Sequence, residues 1–145
     1  MNIQKFTQKS VEAINDCEKL AYEYGNQEIE QEHLLVALLR QEDGLILKLI
    51  EKMEINKEYF LNSAESKLAE RVKVSGGQVY IGQDLNKVLI SAEDEAKRMG
   101  DEYVSVEHLF LTLLKYPNKA MKELFKEFGI TKERFLQALS TVRGN

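Results

Sequence analysis

Tryptophan is missing from the 145 residues, cysteine and proline occur once each, and no apolar run reaches the ~20 residues that a membrane helix needs. Each shortage excludes something. The lone Cys17 rules out an internal disulfide and fits a reducing, cytoplasmic setting. Met1-Asn2-Ile3-Gln4-Lys5 lacks the apolar core of a signal peptide. Positive charge is in deficit: 20 Lys and Arg against 24 Asp and Glu leave a net charge of −4. An acidic surface gains no counterion release, which argues against non-specific binding to nucleic acid or to an anionic membrane. Without Trp there is no evident large anchor for a tight interface, so any partner is expected to be held weakly.

The motifs of common chemistries are missing too. No G-x-x-x-x-G-K-[ST] loop, G-x-G-x-x-G turn or G-x-S-x-G elbow is present, so neither nucleotide binding nor serine hydrolysis has local support. His33, His108 and Cys17 are metal-ligand types, but the two His lie 75 residues apart, whereas ligand pairs commonly stand three to five apart. They read as helix histidines that pack, and Cys17 as core filler. No enzyme, cofactor or metal site is expected in this chain.

What the chain does contain is a copy of itself. Glu32-His33-Leu34 returns as Glu107-His108-Leu109, and the 75-residue offset holds without a gap almost end to end. Gln8 meets Gln83, Ala21 meets Ala96, Gly25 meets Gly100, Leu38-Leu39 meets Leu113-Leu114, and Phe60-Leu61 meets Phe135-Leu136. That period exceeds the ~20–50 residues of solenoid units, so it marks one duplicated bundle. Each copy reads as four helices. Leu85, Val88, Leu89, Ala92 and Ala96 recur at helical spacing before Gly100, as Phe6, Ile14, Cys17, Ala21 and Tyr24 do before Gly25. A second helix carries Leu34, Leu35, Leu38 and Leu39, matched by Leu109 to Leu114. A third covers Leu45 to Met53, matched by Ala120 to Phe128. A fourth starts at the cap-forming Asn56 or Thr131. Pro117 falls between helices, where it breaks nothing.

The expected fold is therefore all-α: a duplicated four-helix repeat with pseudo-twofold symmetry and eight helices, forming one domain over 1–145. Repeat one covers about 3–71, a linker with Gly76-Gly77 about 72–81, and repeat two about 82–142. Val79, Tyr80 and Ile81 suit a short extended stretch. Neither repeat alone buries enough apolar surface to stand by itself.

Repeated leucines need only packing to explain them; repeated polar residues ask for more. Glu32 and Glu107 stand in the first turn of the second helix of each copy, where an anion stabilises the helix dipole or edges an apolar groove to capture basic or amide groups. Asp101 adds a carboxylate in copy two where copy one has Asn26, and Thr7 opens the first helix as a cap or a surface hydroxyl. Ser105 caps the second helix in copy two; Glu30 takes that place in copy one and would repel an anion.

Phe6-Thr7-Gln8-Lys9, the run from Gly25 through Glu32-His33-Leu34-Leu35, the run Gln83 to Leu89 and the run Gly100 to Leu109 together resemble the Clp N-terminal domain, a double four-helix repeat at the start of AAA+ unfoldases. The likeness covers essentially the whole chain. Asn26-Gln27, the Gly-Gly joint, Gln83-Asp84-Leu85 and the closing Val142-Arg143-Gly144-Asn145 look more like the ClpB-type disaggregase than the protease-partnering ClpC type. The resemblance implies a mobile domain that engages unfolded or aggregated polypeptide for a hexameric ring working with a DnaK-type chaperone system. ATP would bind the ring's ATPase modules, which this sequence does not carry, so an excised N-domain is expected in preference to a free-standing relative. By the same resemblance Thr7, Asp101 and Glu107 match a polar trio associated with substrate handling. An apolar groove beside them would be lined by Ile14, Leu89 and Val104, chosen by helical phase. The alternative is an adaptor- or phosphoarginine-binding N-domain of a ClpC-type unfoldase: in such relatives the Glu of the doubled motif bind phosphoarginine, matching Glu32 and Glu107, but Glu30-Gln31 and Ser105-Val106 depart from the small residues found there.

Overall fold

Helices begin at Gln8 and Gln83, at Gln31 and Val106, and at Lys57 and Lys132, each pair 75 residues apart. A computed structural model describes residues 2–143 and contains, among them, α1 (Gln8–Tyr24), α2 (Gln31–Arg40), α3 (Leu45–Lys52), α4 (Lys57–Ala69), α5 (Gln83–Arg98), α6 (Val106–Lys115), α7 (Lys119–Phe128) and α8 (Lys132–Arg143). The fold is all-α and duplicated, as the register of the sequence requires. Of the closing motif, Gly144 and Asn145 lie outside the described residues.

Local chemistry sets the boundaries. Thr7 Oγ1 accepts from the Ser10 N–H at 3.2 Å, Asn56 Oδ1 from Tyr59 at 2.9 Å and Thr131 Oγ1 from Arg134 at 3.1 Å, so each caps the helix that follows it. Gly25 (φ 72°) and Gly100 (φ 73°) take the left-handed conformation that ends α1 and α5.

α2 and α6 form the centre. Every residue from Gln31 to Leu39, and from Val106 to Leu113, is buried. A helix buried on all sides must be surrounded. α2 packs on α1, α3 and α4 of its own repeat and on α5, α6 and α7 of the other, and α6 likewise touches α1 and α3 across the divide. Each buried leucine here contributes roughly 1.5–3 kcal/mol. One continuous core spans both repeats.

Strand pairing also crosses between repeats. β1 (Glu28–Ile29) and β2 (Tyr80–Ile81) run parallel, with Glu28 beside Tyr80 and Ile29 beside Ile81. Of the extended stretch expected at Val79, Tyr80 and Ile81, the last two form β2 and Val79 leads into it. Its partner β1, two residues long, is too short to leave a period in the sequence. A lone parallel bridge joins Phe6 to Val104, and adding 75 to Phe6 or taking 75 from Val104 gives Ile81 and Ile29. The segment that opens each repeat therefore pairs with the loop of the other.

Candidate functional site

α1 and α5, the opening helices of the two repeats, present Ile14 and Leu89 at equivalent positions, and both line one groove of about 370 Å³. α1 adds Asn15, Cys17 and Glu18 to this groove, and α5 adds Leu85. The ladder supplies Ile29, Tyr80 and Ile81, with Val79 leading in. Leu85, Leu89, Cys17 and Ile29 are buried and make its floor, whereas Tyr80 is 53% and Ile81 46% exposed. The lining holds one carboxylate, Glu18, and no cation. The Cys17 thiol is pushed up to about 12 by burial, with Asp16 adding to the effect, so it sits there as an inert apolar group.

Of the three apolar residues chosen by helical phase, Ile14 and Leu89 line this groove. Val104 does not: it is 1% exposed and lies in the bridge to Phe6. The groove uses its pseudo-symmetric mate, Ile29. Tyr80, Ile81 and Leu85 were not foreseen as a wall. Their signal was present in the extended stretch before α5 and in the helical phase that Leu85 shares with Leu89.

The doubled polar residues stand elsewhere. The His33 ring is fully buried and its Nδ1 accepts the Glu30 N–H at 2.8 Å, so Nε2 carries the proton and donates to Asn26 Oδ1 at 2.9 Å. His108 repeats the arrangement, accepting from the Ser105 N–H at 2.8 Å and meeting Asp101 Oδ2 at 2.7 Å. Each His thus closes the first turn of a central helix, the place a Glu or Gln fills in the usual capping box. Among the described residues no cluster of three or more His, Cys, Asp or Glu is arranged to hold a metal.

Glu32 and Glu107 are buried and absent from the groove lining. Arg71, just past the end of α4, places Nη1 on Glu32 Oε2 at 2.8 Å and Nη2 on Glu28 Oε1 at 2.7 Å, and Asn118 Nδ2 donates to Glu32 Oε1 at 2.9 Å. Arg143, at the end of α8, lies 2.6 Å from Asp101 Oδ2 and 3.5 Å from Glu107 Oε2. Partial burial raises the Asp101 carboxyl, but hydrogen bonds from Arg143 and His108 outweigh it and hold that group below the usual carboxylate range. The fourth helix of each repeat thus delivers an arginine to the doubled Glu. Thr7 sits at the neighbouring strand pairing: its N–H donates to Val104 O at 3.0 Å and its hydroxyl bonds Ser10 Oγ at 3.0 Å. A larger cleft of about 720 Å³, which shares Tyr80 with the groove, opens beside Glu32, Arg71 and Asn118 and carries charges of both signs.

Residues 5–128 match the model of the Clp repeat (R) N-terminal domain. The chain belongs to the Clp N-terminal domain family. It is 41% identical, over its whole length, to the N-terminal part of the chaperone protein ClpB of Nitratidesulfovibrio vulgaris, and 39% identical to that of Clostridium tetani. It spans 18% and 17% of those two relatives. Among solved Clp N-domains, that of Hsp104 from Candida albicans superposes with a TM-score of 0.83 at 22% identity, covering 97% of this chain and 92% of that one. A ClpV N-domain solved in complex with a VipB peptide gives a TM-score of 0.76 at 19% identity, covering 95% of this chain and 86% of the other. Both share the Clp fold described above. No helix among the described residues is long and apolar enough to cross a membrane.

Proposed function

We propose that this domain engages unfolded or aggregated polypeptide on behalf of a ClpB-type, ATP-driven disaggregase, holding an apolar client segment in the groove between α1, α5 and β2. The observation that carries this reading is the groove itself: an apolar floor beside two exposed large side chains, Tyr80 and Ile81, with no cation in the lining. Exposed apolar surface in a concave setting is what a chain with its own apolar residues uncovered will bind. The peptide-bound ClpV N-domain adds support from the same fold. On this reading the domain is a binding module rather than a catalyst and needs no cofactor. ATP, the hexameric ring and cooperation with a DnaK-type chaperone belong to the parent protein. Weak binding follows from the small size of the site.

Phosphoarginine recognition by Glu32 and Glu107 has less support. Both Glu32 oxygens are engaged by Arg71 and Asn118, so a phosphoarginine guanidinium would first have to displace an internal one. The test is fluorescence anisotropy of a permanently unfolded, labelled polypeptide against the 145-residue chain. Tyr80→Asp and Ile81→Asp, at exposed positions, should each weaken binding about tenfold with helicity unchanged. Unaltered affinity in both would sink the proposal, and a phosphoarginine peptide is expected to bind no better than its arginine counterpart.

A further inference from the structure

Phe6 and Ile81 occupy equivalent places in the two repeats, yet their main chains end differently. On either side of Ile81, Tyr80 N–H donates to Gln27 O at 2.9 Å and Gly82 N–H to Ile29 O at 2.8 Å. Successive residues of a strand direct their N–H and C=O groups to opposite edges, so Ile81 turns its own pair away from β1. The same alternation holds across the pseudo-axis, where Thr7 N–H donates to Val104 O at 3.0 Å and Val104 N–H to Lys5 O at 2.7 Å. There the outward Phe6 N–H is met by Ile3 O at 3.1 Å, because Ile3–Lys5 wind into a 3₁₀ turn. No such turn precedes Ile81. The chain arrives through Gly76 and Gly77, with φ of 80° and 84°, and among the described residues no group pairs with the Ile81 N–H or C=O on that side.

An open edge of this kind is solvated in the free protein, and its meaning lies in its position. Tyr80 and Ile81 form a wall of the groove whose floor includes Leu85 and Leu89. Ile81 thus lines the groove and also carries the open main-chain edge, so an extended segment paired with that edge would run alongside the apolar lining. A helical segment has no main-chain groups to offer, since its own hydrogen bonds consume them. An extended segment has both N–H and C=O.

We infer that the groove takes its client in extended form, by strand addition to β2: the client main chain pairs with the outward N–H and C=O of Ile81, while alternate apolar side chains settle against Ile14, Leu85 and Leu89. The inference rests on the reading of the groove as a polypeptide site. Glu18, the sole charged group in the lining, selects for a basic residue beside the apolar ones. Main-chain pairing with pockets for alternate side chains gives affinity without demanding one sequence, which suits a domain that meets many clients.

Labelled peptides of about ten residues test this, all with lysine at both ends: one alternating β-branched and polar residues, one of matched apolarity constrained to a helix, and two copies of the first N-methylated at alternate residues in opposite phase. The extended peptide should bind the full chain more tightly than the helical one, and one methylation phase alone should weaken it about tenfold or more. On the protein side, Ile81→Pro removes the outward N–H while sparing the ladder, because proline is tolerated where an edge N–H has no partner. It should lose more affinity than Ile81→Ala. Equal binding of the helical peptide, or indifference to both methylation phases, overturns the inference, and the methylation arm decides the matter should Ile81→Pro fail to fold. If neither these peptides nor an unfolded polypeptide binds, the reading of the groove fails first and strand addition falls with it.

Discussion

Gln31 ties the two repeats together through one side chain. Fully buried, it donates from Nε2 to Asp84 O at 3.1 Å and to Tyr116 O at 2.8 Å, and accepts the Asn118 N–H on Oε1 at 2.8 Å. Gln31→Ala strands Tyr116 O and the Asn118 N–H, takes a second donor from Asp84 O in the first turn of α5, and leaves a cavity, so urea unfolding should show a loss of about 3 kcal/mol. In the sequence Gln31 was visible as a departure, polar where copy two has Val106, but its three partners lie at least 53 residues away. Its neighbour Glu30 governs a pH effect. Desolvation raises that carboxyl to about 7 from 4.5, partly offset by the N–H groups of Gln31 and Asp84. The folded chain therefore keeps a proton that the unfolded chain has lost, and the Glu30 contribution, complete below pH 4.5, is lost as pH rises to about 7. His33 runs the other way. Desolvation, followed by Arg71, lowers it from 6.5 to about 4, so its contribution is complete above pH 6.5 and is lost on acidification. The two slopes oppose each other between pH 4.5 and 6.5. Glu30→Gln should expose the His33 slope, its urea midpoint falling on acidification through this window more steeply than that of the unaltered chain; matching profiles would refute the assignment. Leu89→Asp, which helical phase alone recommends as a test of the groove, would instead bury a charge at a site only 2% exposed.

At the scale of elements, the doubled histidines are capping devices for the two central helices. His108→Ala should cost about 1–3 kcal/mol in a thermal melt, because the Ser105 N–H loses its acceptor, while His108→Gln, the residue type of the usual capping box, should recover part of that loss. The eight helices were legible because apolar spacing and the 75-residue register both survive in the sequence. The side of the bundle that carries the groove was not. Ile29 and Val104 are equivalent in register, and what distinguishes their surroundings is a 3₁₀ turn that takes up the outward N–H beside one and does not precede the other. A three-residue turn leaves no periodic trace. Likewise, the doubled Glu looked free in sequence because the arginines that engage them arrive from the far ends of α4 and α8.

For the whole molecule, the shared core means that half a chain is not half a protein. A fragment of residues 2–71 would expose the faces of α2 that pack on α5, α6 and α7, so it should show no cooperative thermal transition by circular dichroism. Mixing it with a fragment of residues 78–143 should restore one transition near that of the intact chain, since Gly76 and Gly77 join the halves by a segment exposed to solvent. Two independent melts would contradict this. The reciprocal strand pairing has a further consequence, for stoichiometry. Phe6 with Val104 and Ile81 with Ile29 are the contacts that two identical subunits make about a dyad, and such a dimer would offer two equal receptor sites. Fused into one polypeptide, the copies differ at this point, with the outward N–H taken up by a leading turn beside Phe6 and left open beside Ile81; on the proposed reading, one domain would therefore take one client strand at β2 where a symmetric dimer would take two.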